Sequence, residues 1–187
     1  MMISFIIMVM LLLAFYVGYR RGFLREIVYL AGYAFVFYLA TQWYQPLGEK
    51  LSLWIPYPTP ELNTQLGFYS QKLLLTLSQS FYAAMAFCLI LFIGWLLVRF
   101  IGLLCYRLTY IGSQFTFISI ASGLLGGVIH TVITYIFITM MLFVASFIPL
   151  QSVQDALDNS PIATAMIKET PVISDTIYRL WVTDIQQ

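Results

Sequence analysis

The sequence predicts an all-α polytopic integral membrane protein, with four transmembrane helices and short amphipathic surface helices. Three observations predict it. The chain is 61% hydrophobic and only 9% charged, where soluble domains carry about a quarter charged residues. Its apolar residues gather into four long segments, and its prolines and polar residues gather between and after them. A soluble chain of 187 residues needs polar side chains to coat its core, and this one has too few, so apolar side chains must face lipid.

Ile3–Tyr19 is uninterrupted apolar sequence and forms the first span, close to the minimum of about 17 residues that crosses a bilayer core. The N-terminus has no basic region or small-residue cleavage site leading into a polar chain, so this segment reads as a retained span rather than a secretory signal. Residues 23–43 form the second span, with Trp43 and Tyr44 where an interfacial aromatic belt lies. Between Gln45 and Gln79 the prolines of "WIPYPTPELN" demand extended, solvated backbone, hence a loop over 45–79. Within it, Leu66, Tyr69, Leu73, Leu74 and Leu77 alternate with polar residues at helical spacing, so Leu62–Ser80 is expected as an amphipathic surface helix or as the polar lead-in to the next span.

Residues 81–99 form the third span and 117–147 the fourth, which has no charge at all. The fourth is longer than a bilayer requires and implies tilt or extra turns. Pro149 ends it, dividing a membrane domain over 1–148 from a tail over 149–187. In the tail, Ser152 with Asp155, and Ser160 before Pro161, are helix-start signals. Ile173, Ile177, Leu180 and Trp181 then make one apolar face, suited to the bilayer or to the other helices.

The order of these parts resembles a known family. An apolar span running into "GYRRGFLREI", a second span close behind, a glycine-rich "SGLLGG" in the last span and the tail motif "NSPIATAMIKETP" are similar to the colicin V production protein family. Arg20–Phe23 carries most of the resemblance, which extends over nearly the whole chain. It implies a multi-pass protein of the bacterial cytoplasmic membrane with a role in toxin production and no established reaction. Many members have an acid near the start of the first span, where this chain has Ser4, and another before the glycine-rich stretch, where it has Ile118 and Ser119.

A net charge of +1, thinly scattered, offers no stripe to neutralise phosphates, so nucleic acid is excluded as a partner. Cys88 and Cys105 fall about 25 Å apart on one helix, beyond disulfide reach, and no metal site or cofactor is expected. No H-E-x-x-H motif or phosphate loop is present, so no enzyme is expected, with serine or tyrosine chemistry as the open exception. His130, the only histidine, falls near the middle of the fourth span with Ser122, Gly126 and Thr134 on its face. An ionisable group at that depth is either a functional site or a neutral imidazole gluing helices together. No carboxylate is expected within a span to complete a proton relay.

Ser119, Gly123 and Gly127 form a row of small residues, and Ala14, Gly18 and Gly22 form another. Such rows let helices approach closely, either inside one chain or across a homo-oligomer seam. Arg20, Arg21, Arg25, Arg99 and Arg107 are expected to fix topology and contact anionic lipid, at about 1 kcal/mol each near the surface; Arg25 and Glu26 form an ion pair or touch headgroups. The expected function is a membrane accessory or scaffold protein contacting lipid and a secretion or envelope partner. The alternative is a small oligomeric channel or transporter lined by Thr131, Thr134 and His130.

Four spans place those five arginines with one acid, Glu26, on one side, a net of +4. The other side holds Lys50, Lys72, Lys168 and Arg179 against seven acids, a net of −3. Basic residues flanking short loops are retained in the cytoplasm, so both termini, the 45–79 loop and the tail are expected outside it. A reporter active only in the cytoplasm, fused at Gln187, is expected to be silent; strong activity contradicts this orientation.

Overall fold

The computed structural model of the protein describes residues 2–57, 77–104, 116–170, 176–177 and 179–183. Four long helices dominate: α1 (Met2–Arg21), α2 (Phe23–Leu51), α3 (Leu77–Leu104) and α4 (Thr116–Ser146). All four are long and apolar enough to cross a membrane, and the described residues contain no strand. Their outward residues are large and apolar, Phe5, Leu12, Phe35, Leu97 and Val128 among them, as lipid-facing surface requires. Two shorter helices follow, α5 (Gln151–Asp158) and α6 (Pro161–Lys168), and then a π-helical turn over Arg179–Thr183.

The described residues form two compact units, each drawing on the long helices. One comprises Met1–Ile7, Thr41–Leu89 and Ile138–Gln187; the other comprises Met8–Ala40 and Ile90–Phe137. The tail, expected as a segment of its own from residue 149, shares the first unit with segments of α1 to α4.

In that first unit, α2 departs from the expected loop start at Gln45. It runs through Pro46 to Leu51. Proline removes one i→i−4 hydrogen bond, but packing on both sides of it holds the helix. Tyr44 is buried and donates to the Leu180 carbonyl at 3.0 Å, and a Cβ added at Gly48 would sit 3.2 Å from the Ala83 backbone. Beyond the helix, the Tyr57 hydroxyl donates to the Phe147 carbonyl at 2.7 Å and Tyr82 donates to the Ile55 carbonyl at 2.6 Å. Burial, with Tyr82 alongside, pushes the Tyr57 hydroxyl up to about 12.

The end of α4 is closed by a side chain rather than by solvent. Gln154 is buried and its amide donates to the carbonyls of Ser146 and Ile148 at 3.0 and 2.9 Å, satisfying acceptors that a helix end leaves open. Helix α5 starts after Leu150 with no side-chain cap, so Ser152 is an interior residue and not the start signal expected. Ser160 does cap α6: its Oγ accepts from the Ala163 amide at 3.3 Å, with Pro161 in the first helical position. The same Oγ lies 2.8 Å from Ser4 Oγ, so the start of α1 is tied to the tail.

Trp181 is fully buried and meets Phe87, Phe143 and Phe147 edge-on, with centroids 5.6, 6.4 and 6.3 Å away. Ile177 is buried with it. Of the two surfaces open to the expected apolar face, Ile177 and Trp181 therefore take the other helices, while Ile173 lies outside the described residues. The expected amphipathic helix over Leu62–Ser80 lies outside the described residues, except for its last four, which form the first turn of α3.

Candidate functional site

The second unit contains a buried charged cluster, assembled by the turn between α1 and α2. Helix α1 ends with Arg20 and Arg21 in its last turn, where basic side chains suit the negative end of the helix dipole. Gly22 then takes φ of 80°, a conformation that favours glycine, and its amide donates to the Gly18 carbonyl at 3.0 Å. That single residue reverses the chain, and α2 begins at Phe23. Its first amide, which has no partner within the helix, donates to Ser122 Oγ of α4 at 3.0 Å.

Glycine permits this approach. A Cβ on Gly126 would lie 2.7 Å from the Gly18 carbonyl oxygen and 2.8 Å from the Gly22 carbonyl carbon, and one on Gly18 would strike the Gly126 carbonyl. Gly123 meets the Tyr19 ring and Gly127 meets the Phe15 ring, in each case at 2.8 Å from a would-be Cβ. Gly123 and Gly127 of the α4 row thus pack on aromatic rings of α1, whereas Gly18 and Gly22 of the α1 row meet Gly126 and Ser122, which lie on the neighbouring face of α4. Gly126, which the sequence pattern placed on the histidine face, makes the tightest of these contacts with the turn.

One turn beyond Gly126, His130 points to α2. Its Nδ1 lies 3.0 Å from Oε2 of Glu26, and Arg21 Nη1 lies 3.3 Å from the other carboxylate oxygen, Oε1. Glu26 is fully buried. The expectation that no carboxylate within a span stands by to complete a relay with His130 is overturned, because Glu26, in the first turn of α2, lies beside it. Glu26 heads the buried stripe of α2, continuing through Tyr29, Val36, Ala40 and Tyr44. Three- and four-residue spacing turns one helix face inward. That spacing was the available signal: the acid occupies a core position of an apolar stripe.

Arg99 joins Arg21 beside this cluster. The Arg21 and Arg99 guanidiniums both lie 5.7 Å from the centroid of the buried Tyr29 ring, and Arg99 lies 5.1 Å from that of Trp95. Such contacts hold a cation over an aromatic face. Arg99 Nε and the Tyr33 hydroxyl are buried and have no hydrogen-bond partner among the described residues. Arg20 is exposed, 3.4 Å from the Tyr16 hydroxyl, and Arg25 is half-buried. Arg107 and the side chain of Ser119 lie outside the described residues. Thr131 and Thr134 donate to the Gly127 and His130 carbonyls of their own helix, each at 2.8 Å.

The sequence matches the family described as colicin V production protein over residues 3–171. The chain belongs to that family. The turn, Glu26, Arg99 and His130 all fall within the matched stretch. The chain is also similar to a Bacillus subtilis (strain 168) protein described as the uncharacterized transmembrane protein YshB: 27% identical over 190 residues, covering 96% of this chain and 97% of that one. No solved structure matches the chain. The turn that carries the family resemblance is therefore the one that delivers Arg21 and Glu26 to His130.

Because the Gly126 contact leaves no room for a side chain, Gly126→Val is expected to cost about 1–3 kcal/mol or more through overpacking. The exposed Val128→Leu change on the same helix is expected to stay within about 0.5 kcal/mol. Thermal unfolding of the purified variants in detergent checks this. Equal stabilities contradict the close approach.

Proposed function

We propose that this chain is a non-enzymatic, multi-pass accessory protein of the bacterial cytoplasmic membrane. It holds lipid and a secretion or envelope partner, in the toxin production that the family's description names, and in toxin export or envelope maintenance. One observation carries this reading: polar and small residues of the fourth span, among those described, are engaged inside the chain. Thr131 and Thr134 bond to their own helix, Ser122 receives an α2 amide, and Gly123, Gly126 and Gly127 pack against α1 or the turn that follows it. The outward surface they leave is apolar, which suits lipid better than a water-filled path. In the orientation favoured by the positive charge, the turn and Arg99 face the cytoplasm, where they meet anionic headgroups.

The channel or transporter reading is favoured by a different observation. A carboxylate and an imidazole paired inside a membrane span are the parts from which proton pathways are built. The two readings separate in liposomes. With the full chain reconstituted and a proton-sensitive dye inside, the accessory reading predicts proton leakage equal to that of protein-free vesicles. Protein-dependent flux that disappears in Glu26→Gln overturns it in favour of transport.

A further inference from the structure

We propose that Glu26 and His130 form a proton-binding site, and that its occupancy decides whether Arg21 stays paired to Glu26. The inference holds for an accessory protein and for a transporter alike, because it concerns where a proton binds and not what crosses the membrane.

The geometry divides one carboxylate between two partners. Oε2 faces His130 Nδ1 at 3.0 Å, and Oε1 faces Arg21 Nη1 at 3.3 Å. An ionised carboxylate only accepts hydrogen bonds, so Nδ1 carries the hydrogen and Nε2 of the neutral ring offers a lone pair. In this state the formal charges of Arg21 and Glu26 cancel. When a hydronium ion gives up its proton to Nε2, an N–H bond forms, water is released and the ring becomes an imidazolium. Two cations then share one carboxylate, and the cluster has gained a charge of one.

The surroundings decide which cation is displaced. From α1 comes Arg21; from α2, Glu26 itself with the Tyr29 ring under Arg21, and the Tyr33 hydroxyl within the field of Arg99, Glu26 and Arg21; from α3, Arg99, lying against Tyr29; from α4, His130. Glu26 is the only carboxylate in this set. His130 is fixed on α4, with its carbonyl engaged by Thr134 and its helix locked to the turn by Gly126. Arg21 has the longer contact, a side chain 18% exposed, and a second seat over the Tyr29 ring. It is therefore the partner that leaves, and its departure removes one tie between the end of α1 and the start of α2. A burial-driven pair with no exchangeable proton would instead hold one state throughout.

His130 is the only histidine in the chain, which makes the test direct. The full-length protein, carrying a histidine-free affinity tag and ¹⁵N-labelled histidine, is placed in phosphatidylcholine–phosphatidylglycerol nanodiscs. Its ring nitrogens are followed by NMR from about pH 8.5 to about pH 5. The proposal expects both signals to move between neutral and imidazolium positions. In Glu26→Gln the transition should need at least about tenfold more protons, because the stabilising charge is gone. In Arg21→Gln it should need several-fold fewer, because the competing cation is gone. A wild-type spectrum that stays constant over the range overturns the site, and so does a Glu26→Gln curve superimposed on the wild type. An unchanged curve in Arg21→Gln overturns the exchange of partners.

Discussion

A polar group buried away from water needs a partner inside the chain, and this constraint organises the charged cluster of the second unit. The buried carboxylate of Glu26 is its most demanding case. Leaving such a charge without a partner costs about 3–5 kcal/mol, so the fold must bring a cation or a donor to each of its oxygens. Arg21 and His130 meet that demand from α1 and α4. Their positions in turn require that the α1–α2 turn press against α4, which glycine at positions 18, 22 and 126 permits. The same constraint acts in the other unit, where Gln154 closes the end of α4 and Ser160 caps α6.

The dependence runs in one direction through the chain. Gly22 at positive φ reverses the backbone within a single residue, so Arg21 and Glu26 are carried on consecutive helices yet lie five positions apart. Ser122 then accepts the first amide of α2, fixing the depth at which α4 meets the turn. With that register set, His130, two helical turns along the same face of α4, falls opposite Glu26. The residues that carry the family resemblance thus build a charged cluster inside the second unit, rather than only a topological marker at a membrane surface.

Much of this was legible in the sequence. Hydropathy alone located the four spans, because a helix in lipid needs a long run of apolar residues and little else. Ser160 with Pro161 also read correctly as a helix start, since that signal is local. The loop start at Gln45 falls inside α2 instead: proline normally ends a helix, and what holds α2 through Pro46 is Tyr44 and Gly48 packing on distant segments. Glu26 is hard to place from sequence for a related reason. Beside Arg25 in a first turn it looks like a surface charge, and only its register with Tyr29, Val36 and Ala40 identifies it as a core position. The glycines showed that helices approach one another there but not which ones, because small-residue spacing does not name a partner.

The central claim is that Glu26 and His130 interact directly inside the folded chain. A double-mutant cycle on unfolding stability in detergent, using Glu26→Gln, His130→Asn and the pair, measures this without reference to function. A direct pair predicts a coupling of about 1–3 kcal/mol, with the double variant less damaged than the sum of the single ones. Additivity within about 0.5 kcal/mol would contradict the account.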